Sequence, residues 1–382
     1  MHTSTPLIIR SKIDYNSNME ITIPHEKLVQ ALELVGRVST KHVTLPVLQC
    51  VRLEAEKDQI TLQATNLEIS IEIPIEGKVT EPGVVAVPAQ IFLQSIQFIT
   101  QKDITLRTEE SVLQLETENT NTSIKTFSVE EFPTLNQLQG EEMKLQGATF
   151  AFGIKSVAFA ASQTSIKPEL GSVFIQQKKE HSLTLVATDS FRLMEKTISQ
   201  KGLVFDQSIM IPQKNALELA RVCEVVNEDP VCITNENQCA LRFPGGVYIS
   251  SRLVTGSFPD YAQIIPKEYK SHVTVLKDDL FRSFKKTNIF LNKFRQVSLM
   301  ITDSNLTISS QNSEVGHTTE TVKAQVDGEE LTLNFNQQYI MDPLTHVNDD
   351  SLVMHFAGIG RAMVMEGVTD KSLRYLVMPM NK

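Results

Sequence analysis

The stretch LTLVATDSFRLME, residues 183–195, alternates apolar and polar side chains at both ends of its length, at 183–185 and 190–193. A period of two marks a half-buried β-strand. Almost the same pattern occurs twice more, as ITLQATNLEISIE at 60–72 and LTISSQNSEVGHT at 306–318, each copy about 123 residues from the next. Upstream of each copy lies an amphipathic helix candidate: HEKLVQALELV from His25, AFGIKSVAFAA from Ala151 and KDDLFRSFKKT from Lys277. Downstream of each, a strand runs into a second helix: VVAVPAQIFLQSIQFI with Pro88, SIMIPQKNALELARVC with Pro212, and LTLNFNQQYIMDPLTHV with Asn336 in the matching place. Proline's fixed φ suits the first helical turn, where its missing N–H costs nothing. Glu-Phe-Pro-Thr at Phe132 and Ser-Phe-Pro-Asp at Phe258 close the first two copies. Three segments keeping their order and spacing predict three tandem copies of one α+β domain, at 19–140, 141–266 and 267–382. Residues 1–18 lie outside the repeat and read as a disordered N-terminal extension.

The chain's 382 residues suit two or three domains, and its 41% apolar and 21% charged residues are ordinary for a globular protein. The longest near-apolar run, Ala148 to Ala161, is cut by Lys155 and is too short to span a bilayer. The polar, mixed start carries no secretory pattern, so a cytoplasmic location is expected. Four cysteines, Cys50, Cys223, Cys232 and Cys239, form no Cys-x-x-Cys pair and read as buried reduced thiols. Cys232 and Cys239 flank a turn signal at 235–238 and could face each other across a hairpin.

A net charge of −9 argues against holding a polyanion by broad surface attraction. The helix candidates at 23–41, 88–102, 149–167, 212–226, 277–295 and 334–347 are nevertheless basic when taken together. Residues 277–295 alone carry six Lys or Arg against two Asp. Good helix formers include Lys and Arg, so this contrast also has a plain explanation. If the helices face one nucleic acid, they would supply weak, sequence-neutral phosphate contacts. Gln90, Gln94, Gln97 and Gln101 would add uncharged donors.

Little looks catalytic. There is no Gly-x-Ser-x-Gly elbow, His-Glu-x-x-His zinc site or Walker-type phosphate loop. Gly358-Ile-Gly360 reads as a tight turn, and Asp349-Asp350 as a solvated one. We expect a non-catalytic protein with no cofactor and no metal.

Several segments resemble the bacterial sliding clamp, the β subunit of DNA polymerase III holoenzyme. They are Ala187-Thr-Asp-Ser-Phe-Arg-Leu193, Ser257-Phe-Pro-Asp-Tyr261, Tyr375-Leu-Val-Met-Pro-Met380, Thr44-Leu-Pro-Val-Leu48 and Lys293-Phe-Arg-Gln-Val297. The resemblance covers 19–382 in order. It implies the DNA clamp fold: three similar domains per chain, and two chains joined head to tail into a ring with helices lining the hole and antiparallel sheets outside. Such a ring holds duplex DNA by topology, which reconciles an acidic chain with a DNA partner. The implied function is a processivity factor that tethers replicative and repair polymerases and meets the clamp loader.

Carried over position by position, the resemblance implies a peptide-binding cleft of Leu170, Thr188, Ser190, Phe191, Arg192, Leu193, Pro259, Gln263, Ile264, Phe294, Gly360, Ala362, Leu376, Met378, Pro379 and Met380. Leu, Ile and Met make an adaptable apolar pocket, and Arg192 could orient a peptide backbone. Ser190 and Phe191 replace the family's Gly and His, and Gln263 stands where Arg is frequent. The implied DNA-facing residues are Lys41, His42, Lys167 and Lys214, with His42 in place of a common Arg. Ile124 on one side, with Ile289, Phe290 and Leu291 on the other, are the expected homodimer interface. Two other readings are a three-domain enzyme, which would need convergent carboxylates or a metal, and a monomeric clamp-like scaffold that binds peptides without closing a ring.

Overall fold

The computed structural model describes residues 18–39, 44–57, 59–164, 166–205 and 207–380. The expected Lys41 and His42 contacts and the extension at 1–17 lie outside the described residues. The chain divides into two compact units: residues up to Glu142 with Pro230–Arg252, and Met143–Asp229 with Leu253 onward. Each third contributes two α-helices: α1 (His25–Val38) and α2 (Ala89–Ile96), α3 (Gly147–Ala158) and α4 (Gln213–Val226), α5 (Lys277–Thr287) and α6 (Gln337–Leu344). The sequence repeat is thus a structural repeat.

The handover from strand to helix differs by one residue from expectation. Pro88 and Pro212 stand just before the first helical turn, as does Pro24 at the start of α1, with φ of −55°, −49° and −58° and extended ψ. None of the three offers a side-chain cap. The third repeat uses Asn336 there, and its Oδ1 accepts from Gln338 N at 2.9 Å. Five of the six helices end before the expected bounds, three of them by six residues or more. α5 stops at Thr287, and its chain passes through a 3-10 turn (Asn288–Phe290) to Arg295 at φ 54°. α3 stops at Ala158 and α2 at Ile96. Lys167, Lys293 and Arg295 therefore stand off the helices, and the basic helical surface is narrower than expected.

In the first unit, strand 231–234 leads through 238–242, 248–252, 69–75, 59–65 and 50–56 to 83–88 in one antiparallel sheet. The join at Ser250↔Ser70 unites strands from two different repeats. α1 and α2 pack together beneath this sheet, burying Leu28, Leu32, Val35 and Phe92. A second sheet orders strands 78–81, 20–24, 103–109, 112–116 and 121–125, leaving 121–125 at its edge.

In the second unit, nine strands form one sheet, and the two repeats meet where 192–199 pairs with 373–377, Leu193 opposite Leu376. α3 and α4 pack as a pair in this unit, as do α5 and α6. A four-stranded sheet ends in the free edge of strand 316–323. Burial of alternate residues, such as Val273 and Val275 or Leu352, Met354 and Phe356, is the period-two pattern realised.

The cysteines are free and buried. Cys239 lies opposite Thr234, and Cys232 opposite Leu241, so the hairpin register sets the two thiols two pairs apart instead of face to face. Burial pushes the thiols of Cys50, Cys223 and Cys239 up to about 12, which keeps them protonated and inert. Gly358 and Gly360 take positive φ, as a tight turn needs. Asp349 does more than face solvent: it accepts from Thr369 N, Thr369 Oγ1 and Asp370 N, and these bonds hold its carboxyl below the usual range.

Candidate functional site

The stretch 183–195, expected as one strand, is two: between strands 182–188 and 192–199 of the second unit the chain turns at Thr188–Arg192. Two side chains and one left-handed residue build the corner. Thr188 Oγ1 donates to Arg192 O at 2.7 Å and accepts from Ser190 N at 3.2 Å. Asp189 Oδ1 accepts from both Phe191 N and Arg192 N at 2.9 Å. Ser190 sits at φ 76°, a left-handed position that favours glycine. Phe191 is pushed outward, 60% exposed, and its carbonyl accepts from Met378 N at 2.8 Å. That last bond brings the C-terminal segment alongside the corner.

Behind the corner, Leu193, Ala362 and Leu376 share one apolar cluster with Val186, Val364 and Tyr261. The chain from Phe258 to Tyr269 straps across it: Phe258 stacks on Phe174 at 4.6 Å, and Ile265 and Tyr269 pack on the same cluster. Ile264 and Met378 remain exposed. Buried apolar floor and exposed Phe191, Ile264 and Met378 make a surface able to accept apolar side chains. Met380 N donates to Asn334 O at 2.7 Å, so the last described residue lies along strand 331–336.

The remaining cleft candidates are placed as follows. Leu170 is buried in the 3-10 turn Pro168–Gly171. Pro259 and Gly360 are exposed, and Pro379 is half-buried. Gln263 turns to Asp260, donating at 2.7 Å. Phe294 is exposed, with the Lys293 ammonium 5.0 Å from its ring centre.

Arg192 is bonded within the chain. Its Nε donates to Asp189 Oδ2 at 3.0 Å, one terminal nitrogen to Asp342 Oδ2, and the other to Phe159 O at 2.9 Å. The guanidinium also lies over the rings of Tyr339 and Phe159, 4.4 and 5.4 Å from their centres. Three of its five N–H groups are so engaged, and Arg192 ties three stretches of chain together. Tyr339, Asp342, Phe159 and His346 around it had no local sequence signal. His346 stacks on Phe159 at 5.0 Å, and burial holds its pKa below the ordinary histidine value, although Asp342 pulls the other way.

Under the strap, Tyr261 Oη donates to Glu195 and accepts from Lys178 Nζ at 2.6 Å. Burial pushes the Glu195 carboxyl up, but the Lys178 and Tyr261 bonds outweigh it and leave the pKa low. Nearby, His272 and His355 meet Nδ1 to Nδ1 at 2.7 Å, so one ring donates and the other accepts.

Of the basic candidates, Lys167 is exposed before the turn at 168–171, and Lys214 is exposed in the first turn of α4. On α5, Lys286 pairs with Glu320 and Lys277 donates to Val347 O, while Lys285 lies over Phe281. For the interface candidates, Ile289 is 68% exposed and Phe290 and Leu291 are half-buried. Ile124 is different. It is buried in its own sheet opposite Leu113, because alternation turns it inward. What strand 121–125 offers outward is its free edge, with exposed Asn121, Ser123 and Lys125.

Among the described residues, no helix is long and apolar enough to cross a membrane, and no group of three or more His, Cys, Asp or Glu is placed to hold a metal.

Comparison with known proteins agrees with this architecture. Family models for the N-terminal, central and C-terminal domains of the DNA polymerase III beta subunit match residues 19–136, 144–260 and 262–381. A beta sliding clamp of Haemophilus influenzae is 27% identical over 366 residues, covering 95% of this chain and 100% of that protein. One from Staphylococcus aureus is 26% identical over 376 residues, covering 94% and 99%. The crystal structure of the DNA polymerase III subunit beta from Pseudomonas aeruginosa superposes with a TM-score of 0.89 at 26% identity, covering 95% of this chain and 100% of that one. The Thermotoga maritima beta subunit shares the fold with a TM-score of 0.90 at 22% identity, with 95% and 100% covered. Three domain models matched in order, on a thrice-repeated fold of two helices and antiparallel sheets, establish that the chain belongs to the DNA polymerase III beta subunit family, the bacterial sliding clamps.

Proposed function

We propose that two copies of this chain close head to tail into a ring around duplex DNA, and that the second unit's cleft tethers partners by short peptide motifs. The partners would be the catalytic subunit of DNA polymerase III, other polymerases, the clamp loader and repair proteins, all in the cytoplasm. In this reading the chain catalyses nothing itself. It confers processivity because a closed ring keeps the polymerase on its template.

The observation that carries the peptide reading is the corner at 188–192. It fixes an exposed Phe191 beside Met378 above the floor of Leu193, Ala362 and Leu376. Two apolar anchors at about 1.5–3 kcal/mol each, less the cost of ordering, suit roughly micromolar binding. The ring reading draws support from two free strand edges, 121–125 in the first unit and 316–323 in the second. An open edge presents unpaired N–H and C=O groups to a second copy. Exposed Ile289 would add apolar contact beside the second edge. Lys167 and Lys214 would offer weak phosphate contacts, which is all that a topological link needs.

A fluorescently labelled Gln-Leu-x-Leu-Phe peptide should bind saturably, and Met378→Ala should weaken it by about tenfold, a loss of one anchor. The protein should run at the mass of two chains. Once loaded, it should stay on nicked circular DNA in high salt and leave when the circle is cut. Peptide binding by a species of one-chain mass, never retained on circles, would replace the ring with a monomeric scaffold.

A further inference from the structure

The corner at 188–192 has a twin in the first unit. Thr65 Oγ1 donates to Ile69 O at 3.1 Å and accepts from Leu67 N at 3.0 Å. Asn66 Oδ1 accepts from Glu68 N and Ile69 N at 3.0 and 2.9 Å. Leu67 takes φ 75°, against 76° at Ser190. Arg252 N donates to Glu68 O at 2.8 Å, the same distance as from Met378 N to Phe191 O. A strap beginning at Pro133, in the place of Pro259, passes beside it. The corner and the strand beside it are therefore present a second time, next to a cavity of about 270 Å³.

The side chains are of another kind. Where the second unit has Leu193, Leu376 and Met378, this cavity is lined by Ser70, Ser250 and Arg252. Arg252 is exposed, and its Nε donates to Leu67 O at 2.9 Å. Its two terminal nitrogens have no partner among the described residues, and neither has the side-chain amide of Gln238. The far end carries Glu72, which accepts from Gln63 Nε2 at 2.7 Å. Glu72 stands opposite Tyr248, four residues along the strand from Arg252. That separation is about 13 Å, the reach of about four extended residues. Both strands beneath the cavity are already paired on each side, so an occupant cannot add a strand and must be held by its side chains.

We propose that this first-unit cavity is a second docking site, for an extended peptide of a partner protein that carries an acidic side chain. The carboxylate takes the free fork of Arg252, and a cationic or amide side chain about three residues away lies toward Glu72. Carboxylate and guanidinium pair through two charge-assisted hydrogen bonds, a geometry that the thioether of Met378 cannot offer. One chain would then present two clefts of one backbone plan and opposite selectivity, apolar in the second unit and ionic in the first. The comparison between them rests on the peptide reading of the second unit. Different probes and variants test the two, so either can fail alone.

The probe is a fluorescein-labelled Gly-Lys-Ser-Ala-Asp-Gly amide, titrated into the full chain at low salt, with an Asp→Asn peptide as control. Saturable binding is expected, weakened at least tenfold by Arg252→Met and by the Asn control, and unchanged by Met378→Ala. Arg252 is exposed, and a matching thermal midpoint would show that its variant is folded. No binding of the Asp peptide to the unaltered chain overturns the proposal. So does binding that survives Arg252→Met.

Discussion

At Arg192 one side chain holds three stretches of chain. Asp189 is three residues away, Phe159 thirty-three and Asp342 one hundred and fifty, and all three meet one guanidinium. Burial favours loss of the charge, but Tyr375 and the two carboxylates hold it in place and raise its pKa. Removing the cation leaves two half-buried carboxylates facing each other, which costs about 3 kcal/mol. We therefore expect Arg192→Ala to lower the urea midpoint of unfolding strongly. Arg192→Lys should fall between, because it keeps the charge and loses the fork. A midpoint within error of the unaltered chain would mean that the tie contributes nothing. The same reasoning makes Arg192→Ala a poor probe of peptide binding, and Met378→Ala a better one. None of this was legible locally: the residue type suggested a donor, and only its distant partners show that three of its five N–H groups hold the fold together.

The helices show where pattern reading works and where it stops. All six lie where amphipathic spacing and strand-to-helix handover put them, because burial of one face needs the right period and little else. Their ends were overrun because tertiary demands set them. After α3, Phe159 O is recruited by Arg192, and beyond α5 the chain must reach Arg295 in a left-handed conformation. The helix starts split by chemistry. Prolines at 24, 88 and 212 need no partner for a missing N–H, whereas Asn336 caps by its side chain. Asn336→Ala should destabilise the protein by about 1 kcal/mol, read from chemical denaturation, and Asn336→Asp should avoid most of that loss. Equal midpoints for Ala and Asn would show that the cap is idle.

For the whole chain, acid stability follows from rings held neutral. Burial lowers the pKa of His346 against the pull of Asp342, with Lys155 and Lys196 adding to the lowering. It lowers that of His355 against Glu366, with His272, Lys371 and Arg374 adding. Both folded values lie below 6.5, so the unfolded chain takes up protons first as pH falls. This stability is complete above pH 6.5 and is lost as pH drops toward the folded values. Glu195, with its carboxyl held low, adds a further loss beginning below about 4.5. The thermal midpoint should be flat above neutrality and fall between about pH 6.5 and 5. A His346→Gln, His355→Gln double variant should show a shallower fall. An equally steep one would place the sensitivity elsewhere.

The amino-acid sequence alone determined the threefold repeat, the α+β class, the places of the six helices and the family resemblance. These depend on periodicity and local motif, which are written in neighbouring residues. The tertiary structure decided which repeats share a sheet: Ser250 beside Ser70, and Leu193 beside Leu376. It turned Ile124 inward, tied Arg192 to Phe159 and Asp342, and set the corner at Thr65–Ile69 as a copy of that at Thr188–Arg192 with different chemistry in its cavity. Such facts join residues far apart in the chain, and distance along a chain carries no record of which side chains close packing will bring together.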